Sequence, residues 1–182
     1  VDLDCIPLPP RVERTAAALN APFAPYAVMN SAATPAFAPL GGCQRVRFTG
    51  SIHDENGVLT TDRRKIAAKL THLRDKILLN SESFSHFDTD HDCDAETLIV
   101  SYGLADGAAR EAVAALRALG IGVSHLTLYS LWPVPERAIL AAISPRIERV
   151  IIPELNIGLY VDELRRVIHG VPVESLVRFD GG

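Results

Sequence analysis

The sequence predicts an α/β fold: a mainly parallel sheet flanked by helices, preceded by an extended Pro-rich stretch, a hairpin-like loop and a helix. Three observations carry this. From residue 95 onward, short apolar runs alternate with amphipathic stretches in a β-α-β-α-β-α-β rhythm, the pattern of a parallel sheet covered on both faces. Residues 1–44 hold Pro7, Pro9, Pro10, Pro22, Pro25, Pro35 and Pro39, a density that breaks helices and central strands alike. Between these regions, Asn56-Gly57 marks a turn and an apolar stripe at helical spacing follows it.

The elements follow in order. Residues 1–44 are expected to form a linker, with a short helix over 12–19. Residues 45–52 alternate polar with apolar, as a half-buried strand does. His53-Asp54-Glu55-Asn56-Gly57 is then a turn, Asn and Gly both tolerating positive φ. A helix follows over 62–79. Asp62 is placed to cap it, Ile66, Leu70, Leu73 and Ile77 form one apolar face, and Lys65, Lys69, Arg74 and Lys76 lie off that stripe. Asn80 is a left-handed stop. Residues 81–94 are polar and acidic and read as a linker.

Within 95–182, strands are predicted at 97–101, 123–128, 149–152 and 173–179. The first connecting helix is capped by Asp106, turns Ala109, Val113, Leu116 and Ala112 inward, and ends at Gly120. Leu131-Trp132-Pro133-Val134-Pro135 leads into a second helix to Ile143, with Pro135 suited to its first turn. Asn156 caps a third helix to His169, with Ile157, Val161, Leu164 and Ile168 inward and Gly170 as the stop.

Bulk properties narrow the function. The chain has 182 residues, 48% hydrophobic and 22% charged, with a net charge of −4. That sign and the lack of a basic stripe argue against nucleic acid. No apolar run approaches the ~20 residues of a membrane helix, and the acidic start does not resemble a signal peptide. Cys5, Cys43 and Cys93 are odd in number and widely spaced, unlike a disulfide framework, a zinc site or an iron–sulfur site; a reducing, cytoplasmic setting fits them. Val1 opens in mid-phrase and Gly181-Gly182 follows a strand-like run, so the chain is expected to be a piece of a longer polypeptide.

Several constellations could carry chemistry. The turn Tyr102-Gly103 to Gly107 sits where a dinucleotide loop would, without the full glycine pattern. His86, Asp88, Asp90, His91, Asp92, Cys93 and Asp94 have metal-like composition but no converging spacing, so no metal is assigned. His53-Asp54-Glu55 beside its turn is the best polar cluster, open to a ligand role or to a structural and interface role. His125 is expected in the core or at a sheet end. Trp132 is expected as a wedge against a neighbouring element, a subunit interface being one such place. Asn156 is first a helix cap, in a position where such sheets also bind ligands.

Two stretches resemble a known family. Phe48-Thr49-Gly50-Ser51-Ile52-His53-Asp54-Glu55-Asn56-Gly57, with the basic helix ending Lys76-Ile77, resembles the Thr-Gly-x-x-His-Asp-Glu-x-Gly loop of 2-oxoacid:ferredoxin oxidoreductase α subunits. Leu98-Ile99-Val100-Ser101-Tyr102-Gly103, Gly107-Ala108-Ala109-Arg110-Glu111-Ala112-Val113, Gly120-Ile121, Leu131-Trp132-Pro133-Val134-Pro135-Glu136 and Glu154-Leu155-Asn156-Ile157-Gly158 look like that family's core domain II, similar to a transketolase C-terminal domain. The resemblance covers about 45–160. Ser51-Ile52 and Leu159 depart from the family's usual residues, and the helix ending Lys76-Ile77 before Asn80 leans toward the branched-chain type.

The resemblance implies an enzyme that converts a 2-oxoacid and coenzyme A to an acyl-CoA and CO₂ and passes electrons to ferredoxin. Thiamine diphosphate with Mg and iron–sulfur clusters would serve the whole complex, none of them held by this segment alone. It further implies that residues 1–44 are a linker from a pyrimidine-binding domain, 45–94 a loop, helix and acidic linker, and 95–182 core domain II. Partners would be a pyrophosphate-binding β subunit, in some enzymes γ and δ subunits, and ferredoxin. No residue is assigned a catalytic role. His53, Asp54, Glu55 and Gly57 are candidates for a substrate, CoA or interface loop; Tyr102, Gly103, Asn156 and Gly158 are candidate sheet-end positions. The alternatives are the C-terminal domain of another thiamine-diphosphate enzyme, of the 2-oxoacid dehydrogenase β or transketolase type, or a non-catalytic α/β interaction module.

Overall fold

The computed structural model describes residues 13–180, and the chain divides after Asn80 into two compact units. Val12 and the first three prolines lie outside the described residues.

Among its described residues the first unit contains one helix, α1 (Arg63–Leu78). Asp62 caps it as expected, its carboxylate accepting from the amides of Arg64 and Lys65. Asn80 closes it, but not in a left-handed conformation: no described non-glycine residue has positive φ. Its side-chain amide instead donates to the carbonyl of Lys76 at 2.8 Å. The rest is irregular. The expected helix before Leu19 does not form over 13–19, where Ala16 makes a single parallel bridge to Phe37. The expected strand at 45–52 is absent for want of a partner, and Phe48 is exposed. A minimal hairpin remains, with His53 bridged to Leu59. The apolar stripe of α1 is only partly packed: Ile66 and Ile77 are half-buried, Leu70 and Leu73 are exposed, and the buried residue of the helix is His72.

The second unit holds the predicted fold. Its elements are α2 (Ser81–Phe84), β1 (Phe87–Asp90), β2 (Thr97–Tyr102), α3 (Ala105–Ala118), β3 (Val123–Leu128), α4 (Glu136–Ala142), β4 (Arg149–Glu154), α5 (Val161–Val167) and β5 (Val173–Val177). The sheet order is β1-β3-β2-β4-β5, with β2, β3, β4 and β5 parallel and β1 antiparallel to β3. The acidic stretch expected as a linker therefore supplies an edge strand. Its side chains are all exposed, so no apolar alternation announces it, yet its carboxylates are engaged: Asp90 pairs with Arg117 at 2.8 Å and Asp88 accepts from Tyr129. Charge on such an edge also discourages further strand pairing.

The two sheet faces differ because side chains alternate along each strand. Leu98, Val100, Leu126, Leu128, Val150 and Ile152 pack with Ile139, Val161 and Leu164 into one large apolar core. The other face is covered by Ala109 and Val113 of α3, over Ile99 and Val123. Ala112, expected inward, is exposed. Gly120 ends α3 as predicted: at φ 78°, a conformation that costs glycine little, it lets the amide of Ile121 reach the carbonyl of Leu116 at 3.0 Å. Among the described residues no helix is long and apolar enough to cross a membrane.

Candidate functional site

In the first unit, the candidate loop is built around Asp54. The amide of Gly57 donates to its carbonyl at 3.0 Å, and its carboxylate accepts from the amides of Asn56 and Val58, both at 3.0 Å. This is an aspartate-initiated turn with glycine at its fourth position. Only Gly57 takes positive φ, at 74°; Asn56 does not, contrary to the sequence expectation. A Cβ on Gly57 would lie 3.1 Å from the Tyr26 ring. The amide of Tyr26 in turn donates to the carbonyl of Glu55, so this tyrosine is tied to the turn by backbone and ring together.

A cleft of about 180 Å³ opens here, lined chiefly by Tyr26, His53, Glu55, Lys65, Lys69 and His72. His53 is buried and stacks at 4.0 Å between centroids on Tyr26. Its Nδ1 donates to the carbonyl of Ser51 at 2.7 Å, while its Nε2 is buried without a partner. Lys65 lies 3.4 Å from Glu55 and 3.7 Å from Asp54. Those bonds raise the Lys65 pKa, the hydrogen bond to Glu55 foremost. The Asp54 carboxyl is held below its usual range, first by the Val58 amide. Lys69 behaves oppositely: burial, then Lys76, pushes its pKa down. Its ammonium sits 4.5 Å from the centroid of Tyr26.

His53, Asp54 and Glu55 thus line one cleft, and Gly57 sits behind it as the turn's hinge. Sequence reasoning did not join Tyr26, Lys69 and His72 to them. A signal existed for two: Lys65, Lys69 and His72 recur at i, i+4 and i+7, one face of a helix.

In the second unit, the other candidate positions gather at the carboxyl ends of β2 and β4. Those strands lie side by side, with β3 and β4 on opposite sides of β2, so this is the sheet's topological switch point, where open α/β sheets bind ligands. A crevice of about 200 Å³ is lined by Tyr102, Gly103, Leu104, Glu154, Leu155 and Asn156. Its centre is Glu154, which the sequence reading did not single out. The Tyr102 hydroxyl donates to Glu154 at 2.7 Å and accepts from the Asn156 amide at 3.0 Å. The backbone amides of Tyr160 and Val161 donate to the same buried carboxylate at 2.9 and 3.2 Å.

Glu154, not Asn156, therefore caps α5. Asn156 caps the preceding turn, accepting from the amides of Gly158 and Leu159. Ile157, expected inward, is exposed on that turn, whereas Val161, Leu164 and Ile168 are buried as predicted. Burial, reinforced by Glu154, pushes the Tyr102 pKa up to about 12. Burial also raises Tyr160, whose hydroxyl donates to the carbonyl of Leu131. These polar groups bond one another, and the result is a fixed loop platform.

A third cluster is buried under α3. Asp106 does not cap that helix; it lies in the first turn and faces the sheet. Ser101 and Thr127 donate to its carboxylate at 2.8 and 2.7 Å, and Arg110 closes on it at 2.7 Å. Burial works against its charge, but the bonds from Arg110, Thr127 and Ser101 hold its pKa low. Since Ser101 donates to Asp106, its oxygen accepts from Nε2 of His125 at 2.7 Å. His125 is thus in the core, as expected, and burial pushes its pKa down. The carboxylate bonds the serine rather than the histidine, so this is a structural network and not a nucleophilic triad. Trp132 is largely exposed. Among the metal-like residues, the ligand atoms of Asp92, Cys93 and Asp94 come within 4.8 Å of one another.

A five-stranded, mostly parallel sheet with helices on both faces and a closed switch-point platform defines an open α/β domain. Residues 95–182 match the family model of pyruvate:ferredoxin oxidoreductase core domain II. Beyond the domain, the chain is 30% identical over 149 residues to 2-oxoglutarate synthase subunit KorA of Methanothermobacter thermautotrophicus, covering 81% of this chain and 39% of that protein. It is 31% identical over 131 residues to the same subunit of Archaeoglobus fulgidus, covering 68% and 34%. The chain thus spans less than half the length of the curated relatives it matches. Its fold is that of the 2-oxoglutarate:ferredoxin oxidoreductase from Magnetococcus marinus, a structure described with 2-oxoglutarate, coenzyme A and succinyl-CoA bound; the TM-score is 0.79 at 20% identity, over 93% of this chain and 30% of that one.

Proposed function

We propose that this chain is a segment of the α subunit of a thiamine-diphosphate-dependent 2-oxoacid:ferredoxin oxidoreductase, which forms an acyl-CoA and CO₂ and reduces ferredoxin. One observation carries this: the 149 residues aligned with the KorA relative are too many for the domain at 95–182 alone, so the likeness reaches into the first unit and its His53 loop. The relatives' names favour 2-oxoglutarate over the branched-chain acids to which the end of α1 leaned.

The segment's own part is to dock and shape. Thiamine diphosphate supplies the carbon nucleophile that attacks the keto group, but the described residues do not fit it. At the switch point, where a diphosphate would sit, the Glu154 carboxylate is spent on Tyr102, Asn156 and two backbone amides. The cofactor, its Mg and the iron–sulfur clusters belong to a preceding pyrimidine-binding domain and to partner subunits, a pyrophosphate-binding β subunit foremost. The exposed stripe Leu70 and Leu73 of α1 and the exposed Trp132 give those neighbours apolar surface to cover. His53, Asp54, Glu55 and Gly57 form the loop presented to CoA, substrate or a partner; Tyr102, Gly103, Asn156 and Gly158 hold the sheet-end loops in shape.

The test is to produce the parent α subunit with its β partner and follow CoA-dependent ferredoxin reduction with 2-oxoglutarate, pyruvate and a branched-chain 2-oxoacid. Reduction with 2-oxoglutarate foremost is expected; no reduction with any 2-oxoacid refutes the assignment. His53→Ala in that complex should lower turnover or assembly while the 95–182 domain stays folded.

A further inference from the structure

We propose that the cleft between the Asp54 turn and the Lys65–Lys69–His72 face of α1 binds a small oxyanion, a carboxylate or phosphate group, with Lys69, His72 and His53 as its donors. The proposal extends the candidacy of the His53 loop and rests on it; it does not depend on which 2-oxoacid the enzyme takes.

The charges already present in the cleft are unevenly used. Asp54 and Glu55 are answered by Lys65 and by the turn's own amides. Lys69 is not answered: it forms no ion pair with any described residue, and its contact is the face of Tyr26. An ammonium drawn into a partly buried place without a counter-ion is destabilised, which is the sense of its lowered pKa. An anion bound there would restore the balance.

The histidines supply the second, independent observation. Each has its Nδ1 on a backbone carbonyl, His53 on Ser51 at 2.7 Å and His72 on Ser31 at 3.0 Å. A carbonyl only accepts, so both Nδ1 atoms carry protons and both rings are fixed in orientation. That leaves the Nε2 atoms for the cleft's chemistry. The Nε2 of His53 is buried with no partner, on a side chain 9% exposed. An orphaned buried polar atom costs about 1–3 kcal/mol, and a native protein keeps one where something else completes it. An oxyanion does so by favouring the imidazolium, whose Nε2–H donates. The size agrees: about 180 Å³ is room for roughly six waters, enough to seat a carboxylate or phosphate group.

The experiment follows the ring resonances of His53 and His72 by NMR in the 182-residue chain. Inorganic phosphate is titrated in one arm and 2-oxoglutarate in the other, against sodium chloride at matched ionic strength. Saturable shifts at His53 and His72, with His125 unmoved, are expected in at least one arm. Phosphate alone would assign the site to a phosphate-bearing ligand, and 2-oxoglutarate alone to a carboxylate substrate. Lys69→Met should weaken the response about tenfold or more, and Lys69→Arg should restore most of it. The absence of saturable shifts in both arms overturns the proposal, as does an unchanged affinity in Lys69→Met. A failed turnover assay in the complex would leave this result untouched, so the two proposals fail separately.

Discussion

The two units of this chain solve burial in opposite ways. The second unit seals Leu98, Leu126, Ile139, Val150, Ile152 and Leu164 completely or nearly so. In the first, the buried residues among those described are Ala38, His53, Gly57 and His72; two of the four are histidines. One unit is held by apolar area removed from water, worth about 25 cal/mol per Å². The other is held by hydrogen bonds: the Asp54 turn, the Asp62 cap, the Asn80 side chain on Lys76 and the Gln44 side chain on the Ala18 carbonyl. Net contributions of such bonds are small, on the order of 1 kcal/mol each. The contrast teaches that the described part of the first unit leaves apolar surface uncovered, as the proposed docking role requires, whereas the second unit buries its own core.

The sharpest way to break that comparison is a pair of matched truncations. Leu98→Ala, in the sealed core, should cost about 2–5 kcal/mol. Leu70→Ala, on the exposed part of the α1 stripe, should cost no more than about 0.5 kcal/mol. Urea denaturation followed by circular dichroism measures both in the isolated chain, and equal costs would erase the distinction.

A smaller effect separates the units by pH. The native pKa of His125 lies below its ordinary 6.5, so the unfolded chain takes up a proton there before the native one does. Stability is therefore full above about pH 6.5 and falls as pH drops toward the depressed native value, by at most about 1.4 kcal/mol per pH unit. Asp106 and Asp90 have lowered pKa values and lose their contribution only at pH values below about 4. Urea midpoints at pH 7.5, 6.5 and 5.5 should fall in that order; a flat profile would mean that His125 is not held neutral.

How much was legible follows the same division. The parallel strands β2, β3 and β4 could be read because their apolar runs are short and wholly or partly buried, whereas β5 leaves most of its side chains exposed and was read from its place after the third helix. The edge strand could not, since Phe87–Asp90 buries no side chain and pairs through its backbone. Caps were read well where the partner is local, as at Asp62, and misread where it is distant. Glu154 caps α5 from six residues back, and Asp106 serves the sheet rather than its own helix. In the cleft, the turn at His53-Asp54-Glu55 was visible, but the pairing of Tyr26 with the loop spans almost thirty positions and has no local signature. The helical stripe of α1 was visible too; that it would stay partly uncovered was not, because periodicity marks a face and says nothing of what meets it.

Hydrogen exchange on the intact 182-residue chain tests the central claim most directly. The amides of β2, β3 and β4 should exchange slowest, near the global unfolding limit, while those of α1 exchange orders of magnitude faster and slow only when the β subunit proposed above is added. Protection of α1 equal to that of β2 in the isolated chain would contradict the account.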